Sequence, residues 1–171
     1  AERVRGIQNP RVGLISNGEE AGKGSELVKA AYPLLANTNL NFVGNVEGKE
    51  IFSGSVDVAV TDGFTGNVFL KSTEAVAKLL IEKIRAAIKG GGPLTLVGGA
   101  LVRPALGEVR KLLDPAEEGA APLLGVNGLV FIGHGRSNAQ AMKSAVRVAR
   151  AAVEAKVLDA MKSAIEVSLK K

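Results

Sequence analysis

The stretch Val56-Asp57-Val58-Ala59-Val60-Thr61-Asp62-Gly63-Phe64-Thr65-Gly66-Asn67-Val68-Phe69-Leu70-Lys71 decides how this chain is built. A β-branched run stops at a polar turn broken by glycine, and a helical pattern follows. Open α/β sheets place their ligand sites at such points, beyond the carboxyl ends of the strands. Asp62, Gly63, Gly66 and Asn67 fall on the turn, and Lys71 follows about one helical turn later. Free backbone N–H groups at a helix start favour an anion, so the segment reads as a phosphate-holding element. By itself it is equally an ordinary turn with a capping aspartate and a surface lysine. Neither a Walker lysine pattern nor G-x-G-x-x-G is present, which argues against a standard nucleotide loop.

Three further runs have strand length: Arg11–Ser16, Leu40–Val43 and Gly128–Ile132. Helical patterns cover about 24–36, 66–89, 137–152 and 153–169, with Ser25 and Ser137 placed to cap the first and third. Strands alternating with helices indicate an α/β fold, a mostly parallel sheet flanked by helices. Parallel strands would bring the four following turns to one rim. Those turns carry Asn17, Asn45 and Glu47, then Asp62, then His134, with Asn127 just before the last strand. Asparagine is favoured in turns for local reasons. Jointly, these amides can orient phosphate oxygens or polarise a carbonyl. His134 sits between Gly133 and Gly135, ahead of Arg136 and Ser137. It can act as a base or stabilise an oxyanion; a structural hydrogen-bonding role is equally open.

Gly90-Gly91-Gly92-Pro93 breaks the long helical pattern, and a helix is expected again from Pro104 to Leu113. Residues 66–113 therefore read as a protruding helical hairpin with an apolar tip, Pro93–Val102. Leu94, Leu96, Val97, Leu101 and Val102 form that tip, with Arg85, Lys89, Arg103, Arg110 and Lys111 around it. A basic rim around an apolar tip suits an anionic membrane surface. Packing within the domain or against a second subunit is the competing reading.

The 171 residues suffice for one domain or slightly more, and 46% hydrophobic content supports a core. Absence of cysteine excludes disulfides and thiolate chemistry and suits a reducing compartment. A single histidine rules out a histidine-rich metal site, and no metal is expected. Ala1-Glu2-Arg3-Val4-Arg5 does not read as a signal peptide, and Ala1 is consistent with a processed or partial chain. The net charge of +5 favours acidic partners. Nucleic acid is not among those expected, because no basic-aromatic platform appears.

Four segments together resemble one family. They are Arg11–Glu20 with Lys23-Gly24; Asn41–Gly48; Asp57–Asn67; and Pro122–Gly128 with His134-Gly135. In this order they resemble the bacterial phosphate acyltransferase of phospholipid synthesis, the acyl-acyl-carrier-protein:phosphate transacylase. The resemblance spans nearly all of the chain but only the family's carboxyl-terminal half; members are roughly twice this length, as a two-lobed α/β architecture requires. Ala120 departs from the family, which often has a second glycine there; this bears on loop flexibility more than on chemistry.

The resemblance implies an isocitrate dehydrogenase/phosphotransacetylase-like fold with the site in a cleft between lobes, one wall belonging to the missing amino-terminal half. It implies attack of inorganic phosphate on the thioester of an acyl carrier protein, with no metal and no redox cofactor. On that reading Gly63, Gly66, Asn67 and Lys71 hold phosphate, Asn45 or Asn127 polarises the carbonyl, and Asp62 or His134 manages protons. The expected setting is a cytoplasmic homodimer in peripheral contact with the inner face of the cell membrane. Alternatives are a phosphotransacetylase acting on acyl-CoA, or a non-catalytic membrane or dimerisation half.

Overall fold

The computed structural model describes residues 1–112 and 114–169. In chain order the elements are α1 (Glu2–Arg5), β1 (Arg11–Ile15), α2 (Glu26–Ala36), β2 (Asn41–Val46), α3 (Gly48–Ser53), β3 (Val58–Val60), α4 (Gly63–Gly90) and α5 (Pro93–Leu112). They continue with α6 (Pro115–Glu118), β4 (Ala120–Pro122), β5 (Phe131–Gly133), α7 (Ala139–Glu154) and α8 (Val157–Leu169). Two compact units result. One comprises Ala1–Thr65 with the described residues from Ala151 onward, the other Gly66–Arg150.

The first unit is built on a three-stranded parallel sheet of order β2-β1-β3. Val12, Leu14 and Val46 are buried in the sheet, and Ala152 of α7 is buried in the same unit. Gly13 is required there by space: a Cβ would stand 2.7 Å from Val46 Cγ1 and 3.1 Å from Val56 Cγ1. Helix α2 packs against β1 and β2, with the Tyr32 and Phe42 rings edge to face at 5.3 Å. Ser25 caps α2 as expected, accepting from the Val28 N–H at 3.3 Å.

The second strand runs further than its apolar stretch. Gly44 and Asn45 were expected on the turn, but β2 continues through them to Val46. The register slips between Val12 and Gly13, because Phe42 pairs with Val12 and Gly44 with Gly13. Val43 is thus the extra residue of a bulge, and Gly44, at φ 97°, absorbs the distortion. A short helix, α3, then follows without a break; the sequence reading did not anticipate it.

In the second unit the fourth expected strand differs from its reading. It is β5, shorter than 128–132, and it pairs antiparallel with β4 in a separate two-stranded sheet. The chain length explains this. Eight residues separate Pro122 from Phe131, enough for an antiparallel return but short of the dozen or so that a parallel crossover needs. Ala120, where a second glycine was noted as absent, simply begins β4. Gly119 before it has φ 77°, and a Cβ there would strike the α7 backbone at Ala141 and Ala145.

The hairpin region also differs in detail. Helix α5 begins at Pro93 and runs through Gly98, Gly99 and Pro104, so the tip residues are helical. Proline suits a first helical position, where its missing N–H costs nothing. Only Gly91 and Gly92 separate α4 from α5. Gly99 lies against the Ile88 side chain, so the two helices touch there. Leu113, the last residue expected in the hairpin, lies outside the described residues. Among the described residues no helix is long and apolar enough to cross a membrane.

Candidate functional site

Parallel pairing in register brings three of the four expected turns to one rim of the first unit. Ile15 pairs with Val46 and Leu14 with Val60, so the strands end together. The rim opens into a cavity of about 400 Å³ lined by Asn17, Gly18, Glu19, Glu20, Lys23 and Glu47. Asn45 stands below it rather than on it. It is only 5% exposed, its Nδ2 donates to the Glu20 carbonyl at 2.8 Å, and its Oδ1 is buried without a hydrogen-bond partner. Its amide therefore holds the turn that lines the cavity.

The same rim is rich in carboxylates. Glu47 begins α3, and its N–H donates to Glu50 Oε2 at 2.9 Å in a reciprocal capping box. Lys49 is the counter-ion, 2.6 Å from Glu19, 3.4 Å from Glu50 and 3.9 Å from Glu47. The hydrogen bond from Lys49 to Glu19 is the main cause that raises the lysine pKa. Burial pushes Glu50 up, but the backbone N–H groups and Lys49 outweigh it and its pKa falls.

Asp62 is an N-cap. Its Oδ1 accepts from the N–H groups of Phe64 and Thr65, both at 2.9 Å. A hydrogen bond from the Thr65 side chain contributes most, the Thr65 and Phe64 N–H groups add to it, and together they hold its carboxyl below the usual range. Two of the free amides expected to attract an anion are thus occupied by the protein's own carboxylate. Helix α4 starts at Gly63, so Gly66 and Asn67 are in its first turns rather than ahead of it. Lys71 follows Asn67 by four residues, about one turn further along the helix and a little over two turns from its start at Gly63.

In the second unit a different convergence appears. Lys71 Nζ lies 3.4 Å from Glu74 Oε2, and Arg136 Nη2 lies 3.9 Å from that same oxygen. The lysine singled out for phosphate and the loop that carries His134 therefore meet at Glu74. The sequence reading missed Glu74. The only local signal was its i,i+3 spacing from Lys71, which is common on any exposed helix.

His134 is exposed on a tight turn. Its carbonyl accepts from the Ser137 N–H at 2.9 Å and from the Ser137 hydroxyl at 2.6 Å. Ser137 was expected to cap the following helix, but Asn138 does so, accepting from Ala141 N–H at 2.9 Å. The reason is local: the Ser137 hydroxyl is spent on the turn. His134 Nδ1 accepts from the Arg136 N–H at 3.3 Å. A cavity of about 180 Å³ is lined by His134, Arg136, Ser137, Asn138, Asp114 and Gly119 among others. Asn127 is exposed in the loop between β4 and β5.

The expected site residues thus fall into two groups. Asn45 and Asp62 belong to the first unit, with Gly63; Gly66, Asn67, Lys71, Asn127 and His134 belong to the second.

Comparison with known proteins agrees with the segment pattern. The chain is 50% identical over 166 residues to a phosphate acyltransferase of Pelotomaculum thermopropionicum, an alignment covering 97% of this chain and 48% of that protein. It is 52% identical over 149 residues to the phosphate acyltransferase of Aquifex aeolicus, covering 87% and 44%. It is 53% identical over 154 residues to that of Thermus thermophilus, covering 90% and 47%. The chain spans about half the length of the curated relatives it matches. The model of the family described as fatty acid synthesis protein matches residues 1–160, and the chain belongs to that family.

Proposed function

We propose that this chain is the carboxyl-terminal half of a two-lobed acyltransferase that moves a fatty acyl group from acyl carrier protein to inorganic phosphate. The product is an acyl phosphate for phospholipid synthesis. A phosphate oxygen attacks the thioester carbonyl, the C–S bond breaks, and the carrier's thiolate takes a proton. The reaction needs an anion site, a donor to the developing oxyanion and a proton source.

One observation carries the reading beyond the family name. Lys71 and Arg136 both approach one carboxylate oxygen, at 3.4 and 3.9 Å. Two cations held this way match a phosphate, which offers several oxygens to charged donors. His134, two residues from Arg136, takes a proton from the attacking phosphate and passes it to the leaving thiolate. Asn127 serves as carbonyl donor better than Asn45, whose amide is committed to Glu20. Asp62, ionised and engaged as a cap, orders the start of α4 beside Gly63, Gly66 and Asn67.

The partners follow from the same reading: an acidic acyl carrier protein, inorganic phosphate, an amino-terminal half and a second copy of the protein. Helix α5 supplies a peripheral membrane contact. Leu94 is 86% exposed and Leu101 77%, and together with Val97 they share one helical face by their spacing. Leu96 and Val102 are exposed as well but lie off that face. Acyl phosphate is reactive and lipid-like, so delivery at a membrane surface avoids its loss to water.

The test is acyl phosphate formation by the complete enzyme, with acyl carrier protein and acyl-CoA compared as donors. Dependence on both the carrier and inorganic phosphate is the expected result. Equal use of acyl-CoA would favour the phosphotransacetylase reading. No product from either donor would reject the activity.

A further inference from the structure

Among the described residues Glu74 is the carboxylate that both Lys71 and Arg136 approach, and nothing in the acyl transfer requires it. Its two ion pairs are long. Charge-assisted N–H···O contacts settle near 2.7–2.9 Å when they are tight, whereas these stand at 3.4 and 3.9 Å on a single oxygen, Oε2. All three side chains are open to water, at 52% for Lys71, 33% for Glu74 and 74% for Arg136. Pairs of this kind are weak and easily exchanged. A phosphate dianion carries more charge and more acceptor oxygens than a carboxylate, so it outcompetes Glu74 for the same two cations.

We infer that Glu74 is a resident counter-anion that keeps Lys71 and Arg136 together in the free protein and is displaced from them by phosphate. The inference rests on the assignment of Lys71 and Arg136 to a phosphate group, and it adds a competitor that sets the affinity. The carboxylate lowers affinity because phosphate must break two ion pairs and then sit beside a like charge. Glutamine at this position keeps the size and removes the charge.

The experiment is titration of the 171-residue chain with inorganic phosphate, followed by calorimetry and phosphorus NMR. Glycerol phosphate serves as a second probe in the same measurements. Glu74→Gln is expected to bind inorganic phosphate about tenfold more tightly, the scale of the two exposed ion pairs that phosphate then no longer has to break. Glu74→Asp, which retains the charge, is expected to behave like the unaltered chain. A merely structural glutamate would instead show weaker binding or none of this charge dependence. Unchanged or weaker binding of both probes in Glu74→Gln, with circular dichroism confirming the fold, overturns the inference. In the complete enzyme the same variant is expected to lower the KM for phosphate, with kcat largely unmoved.

The companion variants Lys71→Ala and Arg136→Ala separate the inference from the reading beneath it. If they leave phosphate binding unchanged, the anion site itself is wrong. If they weaken binding while Glu74→Gln does nothing, only the displacement idea fails. If glycerol phosphate alone tightens in Glu74→Gln, displacement stands and the ligand is a phosphomonoester instead of inorganic phosphate.

Discussion

Lys71, on helix α4, and Arg136, on the turn before α7, reach the same oxygen of Glu74. They are 65 positions apart in the chain. Their meeting joins helix α4 to the glycine-flanked histidine turn. It is also the point where a phosphate reading of this chain is most exposed to test.

Removing one of these cations should show directly. Lys71→Ala or Arg136→Ala in a complete enzyme is expected to raise the phosphate requirement about tenfold, the value of one charge-assisted contact of roughly 1.5 kcal/mol. Steady-state kinetics at varied phosphate checks this. Unchanged kinetics in both variants would remove the pair from the site.

His134 is exposed, and its turn is held by backbone groups and Ser137. His134→Gln is therefore expected to retain the fold while lowering turnover about 100-fold, within the usual range for a general acid. Melting temperature and specific activity measured together decide the matter. A large fall in melting temperature with normal specific activity would return His134 to a purely structural role.

Asp57 ties the start of β1 to the segment before β3. Arg11 donates to it through its backbone N–H at 2.8 Å, Nε at 2.9 Å and Nη2 at 3.0 Å. The side-chain bonds from Arg11 lower the Asp57 pKa from 3.8 to about 2. A depressed folded-state pKa means the unfolded chain binds the proton first as pH falls. The stabilisation is present above 3.8 and is lost between 3.8 and about 2. Asp57→Asn should melt a few degrees lower at neutral pH, and its difference from the unaltered chain should shrink through that acid window. A difference that persists unchanged at the acid end would contradict this account.

The membrane proposal is now sharper than the apolar tip alone suggested. Because α5 is helical from Pro93, Leu94, Val97 and Leu101 share a face while Leu96 points elsewhere. Leu94→Glu with Leu101→Glu should abolish flotation with anionic vesicles. Each leucine contributes at most about 1.5–3 kcal/mol on burial, so losing two removes most of a peripheral anchor. Soluble turnover is expected to survive. Retained flotation sinks the anchor; dissociation into inactive monomers would make this face a subunit interface.

The sequence was enough for elements with strong local signals. Alternation of β-branched runs and helical periods specified an α/β chain, and Ser25 marked the start of α2 correctly. The expectation of a mostly parallel sheet holds for β1, β2 and β3, although neither their order nor the helix between β2 and β3 was foreseen. Four short segments in a fixed order identified the family. Local chemistry decides these features, since a turn residue or an apolar period acts within a few positions.

Tertiary structure alone decided the rest. Val43 was assigned no bulge and Asn45 no burial, because a register slip depends on the partner strand. The apolar run 128–132 could not announce that its partner would be Ala120–Pro122, since pairing direction depends on which strand the returning chain meets. The turn after Asp62 read as an anion-holding element, with Asp62 as a proton-handling candidate, but two of its amides are bound by the Asp62 carboxylate. Glu74 was invisible for the same reason: an exposed helical glutamate is unremarkable until two cations from distant segments arrive at one of its oxygens.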